Sequence, residues 1–313
     1  MVRRMARLPE DLTAQIAANK RRATALVAGA VALVVVVLTL LGAVAGSALV
    51  GLVVGVVAGA VVGGAAWTRS TSVALSLAGA APADEEQHAR LHNLVEGLCA
   101  AAGLPKPALY VVADAAPDAF AVGRGPRNAA VVCTAGLLDG LTRMELEGVL
   151  AHELSHVKNY DILVSTIAVT AVGAVALLAD IGLRFMFWGG MREGRRDNND
   201  AGALGAVLAI GALALLALAP IIAQLMQFAM SRRREYLADA SGVQLTRYPP
   251  GLVSALEKLR DDQAVVHHAT RATAQLWIES PLDRGEGKKG SWLNRAFDTH
   301  PPLEDRIKVL KEM

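Results

Sequence analysis

Cysteine is almost missing from this chain: Cys99 and Cys133 are the only two among 313 residues. They stand far apart and form no C-x-x-C pair, which excludes a cysteine-rich zinc site and leaves no sign of a disulfide framework. Both read as small buried apolar residues. Aromatic residues make up only 4% and the net charge is +2, so there is no global basic field to attract nucleic acid. The N-terminus does not read as a cleavable leader. Its basic stretch is long and holds Pro9, Glu10 and Asp11, and the apolar run behind it exceeds an h-region. Apolar surface, by contrast, is abundant. Hydrophobic residues reach 53% and mean hydropathy is +0.38, gathered into a few long Ala/Val/Leu/Gly runs, the pattern of lipid-facing helices.

The chain divides by composition into five stretches. Residues 1–22 are polar and basic, with Arg3, Arg4, Arg7, Lys20, Arg21 and Arg22. Residues 23–67 hold two uncharged runs, 23–45 and 47–67, each about long enough to cross roughly 30 Å of hydrocarbon. Gly46 and Ser47 leave room only for a tight hairpin between them. Gly51, Gly55, Gly59 and Gly63 recur every fourth residue and so share one helical face, a ladder that lets two helix backbones approach closely in a bilayer. Residues 68–161 have soluble-domain composition. Leu91, Leu94, Val95 and Leu98 mark an amphipathic helix ended by Gly103 and Pro105, and three short strands are expected over 108–112, 119–123 and 129–134. Thr142 with Glu145 forms a capping box, predicting a helix through at least Tyr160.

Residues 162–230 read as a second membrane hairpin: 162–188, interrupted by Asp180 and Arg184, then a polar turn at 189–200, then 201–230 with Pro220. From 231 to 313 the chain is again soluble in character, with helices expected at 251–264 and 302–312 and a flexible loop at 285–290. The N-terminal basic cluster and Arg232, Arg233 and Arg234 both favour the cytoplasm, which four spans satisfy; Arg192, Arg195 and Arg196 in the 189–200 turn run against this. The expected fold is α+β, mainly α: multi-pass membrane helices with a cytoplasmic domain that holds a small β-sheet.

The chemistry sits in His152-Glu153-Leu154-Ser155-His156. Histidines four apart on a helix share a face, so both imidazoles can reach one metal ion, and Glu153 beside them is placed to take a proton from a water the metal activates. Catalytic zinc uses three protein ligands and keeps one open position, so a third ligand is required downstream. Glu235 and Asp239 are four apart in Ser-Arg-Arg-Arg-Glu-Tyr-Leu-Ala-Asp, residues 231–239. Glu235 is the expected ligand, and Asp239 could accept a hydrogen bond from a ligating histidine and fix its tautomer. An acidic pair at this spacing is otherwise a solvated helix face.

With these motifs in view the sequence resembles the HtpX-type membrane zinc metallopeptidases, relatives of the eukaryotic CAAX prenyl endopeptidase. The resemblance spans nearly the whole chain. It rests on the two N-terminal apolar runs, A-F-A-V-G at 119–123, A-H-E-L-S-H at 151–156, S-R-R-R-E-Y-L-A-D at 231–239 and T-H-P-P at 299–302. It implies a zincin-like cytoplasmic metallopeptidase domain, and an ATP-independent protease of membrane quality control that cleaves misfolded membrane proteins at the cytoplasmic face of the cell membrane. His152, His156 and Glu235 match the family's ligands to one Zn2+, and Glu153 its catalytic glutamate. Asp118 departs from the family, which often has Asn before A-F-A. The resemblance also suggests that Phe120, Ala121, Val122 and Gly123 form an exposed strand beside the zinc to which an extended substrate adds, that His300 stabilises an oxyanion, and that Arg306 pairs with Asp239 or the substrate.

The implied partners are unfolded or membrane-protein substrates and the lipid bilayer, with no nucleic acid. Three other functions compete: a narrow processing peptidase acting on lipidated C-termini or signal remnants, a non-catalytic membrane scaffold keeping a structural zinc, and a zinc transporter. Structural zinc sites are closed by four ligands, whereas the sequence offers three and a base. A transporter needs ionisable ligands inside its spans; the first two apolar runs have none, and the third has only Asp180 and Arg184.

Overall fold

A computed structural model of the chain describes residues 8–44, 46–170, 232–262, 264, 276–278 and 301–313. Most of the expected second membrane hairpin (171–230), the loop at 285–290 and His300 lie outside the described residues. The chain forms two compact units: Met1–Arg22, Thr71–Thr166 and Gln227–Met313 make one, and Ala23–Ser70 with Ile167–Met226 the other.

In the second unit, α1 (Leu8–Val44) contributes its part from Ala23 onward, and α2 (Ala48–Thr68) folds back on it. Gly46 takes φ +97°, and the Ser47 side chain caps α2 by accepting from the Val50 amide at 3.3 Å. The glycine ladder does what its period predicts. A Cβ on Gly55 would stand 3.0 Å from Val35 Cα, one on Gly59 3.1 Å from Val31 Cγ1, and one on Gly51 would strike the Leu38 carbonyl oxygen. The buried residues of α2 are Gly51, Gly55, Gly59 and Ala66, while Leu49, Val50, Val53, Val57 and Val61 are exposed. A helix that hides its glycines and presents its valines is inside-out for water and suited to lipid. Ile16–Ala43 and Ala48–Thr68 are each long and apolar enough to cross a membrane. Gly51→Leu should therefore separate α1 from α2, and cysteine cross-linking across the two helices in detergent should fall several-fold. Unchanged cross-linking would contradict the close approach.

The other unit is mostly helical around a small sheet. Its strands are β1 (Ala81–Pro82), β2 (Ala108–Val112), β3 (Ala119–Gly123) and β4 (Ala129–Thr134), in spatial order β1-β2-β4-β3. β2 runs parallel to β4, and β3 returns antiparallel along β4 in the register Ala119↔Cys133 to Gly123↔Ala129. β1, only two residues long, was not expected. The helices are α3 (Ser70–Leu77, in this unit from Thr71), α4 (Ala89–Ala102), α5 (Ala135–Gly140), α6 (Arg143–Lys158), α7 (Asp161–Thr170, in this unit to Thr166), α8 (Arg232–Thr246), α9 (Pro249–Asp261) and α10 (Leu303–Lys311). Leu91, Leu94, Val95 and Leu98 of α4 are all buried as their spacing predicts, against Val131 and Cys133 of β4, Leu146, Val149, Leu150 and Leu154 of α6, and Leu252 and Leu256 of α9. Both cysteines are free and buried.

Helix α6 ends earlier than expected. It stops at Lys158, and Tyr160 takes the left-handed φ of +59° before α7 begins. Gly125 allows this corner, because the Tyr160 ring lies where a Cβ on Gly125 would be. At the other end the capping box forms and extends outward. The Thr142 amide donates to Glu145 Oε2 at 2.7 Å, Lys258 Nζ donates to the same oxygen at 2.7 Å, and Ser254 Oγ to Oε1 at 2.6 Å, tying α6 to α9. Burial alone would raise this carboxyl, but its bonds to Lys258, Ser254 and Thr142 win and hold it at about 2, below the ordinary 4.5. Its contribution to stability is thus full above about pH 4.5 and lost as pH falls towards 2. Glu145→Gln should lower unfolding free energy by about 1–3 kcal/mol near neutral pH, with the difference from wild type shrinking in acid. Denaturant titrations at pH 7 and pH 3 check this; a pH-independent difference would contradict it.

Candidate metal centre

Nearly every residue of α6 from Leu146 to Val157 is buried, so the motif helix is a core element whose polar side chains need partners. Helix α8 supplies them. Gly242 lets the two helices close, since a Cβ there would stand 3.0 Å from the His152 amide nitrogen. Glu235, Asp239 and Gly242 fall on one face of α8, the first two set against the histidines.

The result is a tight triangle. His152 Nε2 and His156 Nε2 are 3.2 Å apart, Glu235 Oε1 is 3.5 Å from His156 Nε2, and Glu235 Oε2 is 3.6 Å from His152 Nε2. The rings meet edge to face at 87°, so their nitrogens converge on a common point. Donor atoms 2.0–2.2 Å from a tetrahedral zinc lie about 3.3–3.6 Å from one another, so two imidazoles and a carboxylate at about these separations fit such an ion. Among the described residues these three are the group able to hold a metal.

A buried scaffold holds the triangle. His152 Nδ1 is 2.9 Å from Asp239 Oδ1, and Arg306 of α10 grips Asp239 with Nε at 2.9 Å and Nη2 at 2.7 Å. Arg306 Nη1 is 3.8 Å from Glu235 Oε2, too far for a hydrogen bond. Burial and then Arg306 push the His152 imidazole down, but the Asp239 and Glu235 carboxylates outweigh both and carry it up to about 9. Burial would raise Asp239, yet Arg306 and His152 hold it at about 2.

His156 has its own support, which the sequence reading does not reach. Its Nδ1 is 3.2 Å from Asp161 Oδ2. Asp161 is held in turn by Asn19 Nδ2 at 2.8 Å and Arg234 Nη1 at 3.3 Å. Arg234, expected only as a cytoplasmic charge, is buried.

Glu153 is 4% exposed and lies near the Cys133 thiol, which burial and then the Glu153 carboxylate push up. Beside α6 runs β3, the terminal strand of the sheet. Because the Thr134 amide donates to the Asp118 carbonyl at 3.0 Å, alternation turns the backbone groups of Ala119, Ala121 and Gly123 away from β4. The Ala119 carbonyl accepts from the Ile278 amide at 3.2 Å and the Gly123 amide donates to Thr166 Oγ1 at 2.9 Å, leaving Ala121 between them. The strand's side chains are buried, and Phe120 packs edge-on to Trp277 at 4.6 Å. Asp118 is also buried, its Oδ1 accepting from the Ala119 and Ile278 amides at 2.9 and 3.0 Å.

The site residues are embedded in a region, residues 85–313, that matches the model of Peptidase family M48. The chain belongs to peptidase family M48. Among curated relatives, the "Protease HtpX homolog" of Thermoanaerobacter pseudethanolicus is 44% identical over 248 residues, covering 79% of this chain and 80% of that protein. The homologue from Streptococcus gordonii is 41% identical over 304 residues, covering 96% and 99%. That of Tropheryma whipplei is 46% identical over 244 residues, covering 78% and 79%. The crystal structure of S. mikatae Ste24p is similar at 17% identity and TM-score 0.41, covering 78% of this chain and 58% of that one. This M48 chain is thus a metallopeptidase of the HtpX type. With two apolar helices of spanning length it is a membrane protein, mostly helical with a small sheet. The family implies a metal, and the His/His/Glu triangle is a possible place for it.

Proposed function

We propose that this M48 peptidase is a zinc-dependent endopeptidase that cleaves misfolded or damaged membrane proteins at the cytoplasmic face. In this reading it is a multi-pass protein of the cell membrane with a zincin-like catalytic domain. The observation that carries it is the convergence of His152, His156 and Glu235 beside a buried glutamate on the same helix turn. His152, His156 and Glu235 hold one Zn2+. A zinc ion held there would supply Lewis-acid chemistry, making a water acidic enough to ionise near neutral pH and polarising the scissile carbonyl. Glu153 takes the proton from the attacking water and delivers it to the leaving amine. Asp239, fixed by Arg306, holds the His152 ring in its ligating tautomer.

The outward-turned Ala121 at the sheet edge suits an extended substrate that pairs by backbone hydrogen bonds, a mode indifferent to side-chain sequence and so fitted to damaged proteins at large. The buried Phe120 and Val122 then shape the strand rather than touch substrate. His300 remains the oxyanion-stabilising candidate, and four spans with the basic segments inside remain the preferred topology.

The test is cleavage of an unfolded membrane protein by the purified full chain in detergent. Cleavage that stops with a chelator and returns with zinc is the expected result. No cleavage with zinc stoichiometrically bound would overturn the broad-specificity reading and favour a narrow processing peptidase or a non-catalytic zinc scaffold.

A further inference from the structure

The N-terminal part of α1 meets the α6–α7 corner through Asn19 and Lys20. Asn19 is fully buried, and its amide nitrogen donates to Asp161 Oδ1 at 2.8 Å and to the Asn159 carbonyl at 3.2 Å. Arg234 Nη1 is 3.3 Å from both Asn19 Oδ1 and Asp161 Oδ1. One residue on, Lys20 Nζ sits 4.8 Å over the ring of Tyr160, the residue whose left-handed backbone makes the α6–α7 corner. Asn159, Tyr160 and Asp161 are thus all gripped by two consecutive residues of α1. From that corner Asp161 turns its other oxygen, Oδ2, to His156 Nδ1.

We infer that Asp161 is the positioning residue for His156, and that Asn19 holds Asp161 in place from 142 residues away, so that α1 clasps the second metal-binding histidine through it. The two imidazoles are then oriented by separate carboxylates: Asp239, braced by Arg306 from the C-terminal helix, and Asp161, braced by Asn19 from the N-terminal helix. A ring whose Nδ1–H is bonded to a carboxylate presents Nε2 to the metal at the right angle and with greater basicity. Arg234, adjacent in sequence to the ligand Glu235, joins the clasp around Asp161. The inference rests on reading His156 as a metal ligand.

The test is zinc affinity by chelator competition, with the visible spectrum of the Co2+-substituted full chain in detergent. Asp161→Asn should weaken zinc binding about 10–100-fold and shift the Co2+ bands. Asn19→Ala should weaken it several-fold in the wild-type background and add nothing on top of Asp161→Asn, because Asn19 acts through Asp161. Unchanged affinity and spectrum in Asp161→Asn, or two losses that simply add, would overturn the clasp. If Asp161→Asn does not fold, Asn19→Ser carries the test alone, and wild-type affinity with a wild-type Co2+ spectrum in that variant would overturn it. A wild-type chain that binds neither zinc nor Co2+ would instead overturn the metal-site reading itself.

Discussion

Glu153→Gln should lower kcat by about 10²–10⁴-fold while leaving zinc bound at wild-type stoichiometry. The glutamate is buried on the helix turn that carries both histidines, but it is not among the three side chains whose donor atoms converge. Its amide replacement keeps the shape and removes only the ability to accept and return a proton. The separation of the two readouts is what matters. Activity lost together with zinc would make Glu153 a structural partner of the site, and activity retained would exclude it as the base.

Arg306→Ala should be the most destabilising single change in the described part of the molecule, by about 3–5 kcal/mol. The guanidinium is fully buried and makes two hydrogen bonds to Asp239, whose carboxylate is itself almost inaccessible. Removing the arginine leaves a buried charge without its counter-ion and frees His152 to rotate, so zinc affinity should also fall about 10–100-fold. The opposite replacement separates the two effects. In the double variant Arg306→Met with Asp239→Leu no buried charge of this pair remains, so much of the stability should return while zinc affinity stays low. If Arg306→Ala unfolds at the same denaturant concentration as wild type, the pair does not brace the site.

What could be read from the sequence was written in short periods. The spacings of four in His152/His156 and Glu235/Asp239 place each pair on one helical face whatever the rest of the fold does, and the glycines at 51, 55, 59 and 63 define a contact face in the same way. The sequence leaves Arg306 a choice between Asp239 and substrate; in the fold it pairs with Asp239. Contacts between remote segments had no such signal. Asn19 sits in a basic stretch that reads as solvated, Arg234 in a triplet that reads as topological charge, and Asp161 at the start of an apolar run. Only folding brings the three within hydrogen-bond reach. The break at Tyr160 was equally silent, since neither Gly nor Pro occurs between Lys158 and Asp161, and the space for the corner is supplied by Gly125 on another loop. Strand β1, two residues including a proline, is too short for any alternation to show.

The most direct test of the account is X-ray absorption at the zinc edge of the purified full chain, with metal content measured on the same sample. The account predicts one zinc per chain, scattering from two imidazoles and from oxygen at about 2.0–2.2 Å, and no sulfur. A sulfur shell near 2.3 Å, drawn from the buried Cys133, or fewer than two imidazoles, would contradict it.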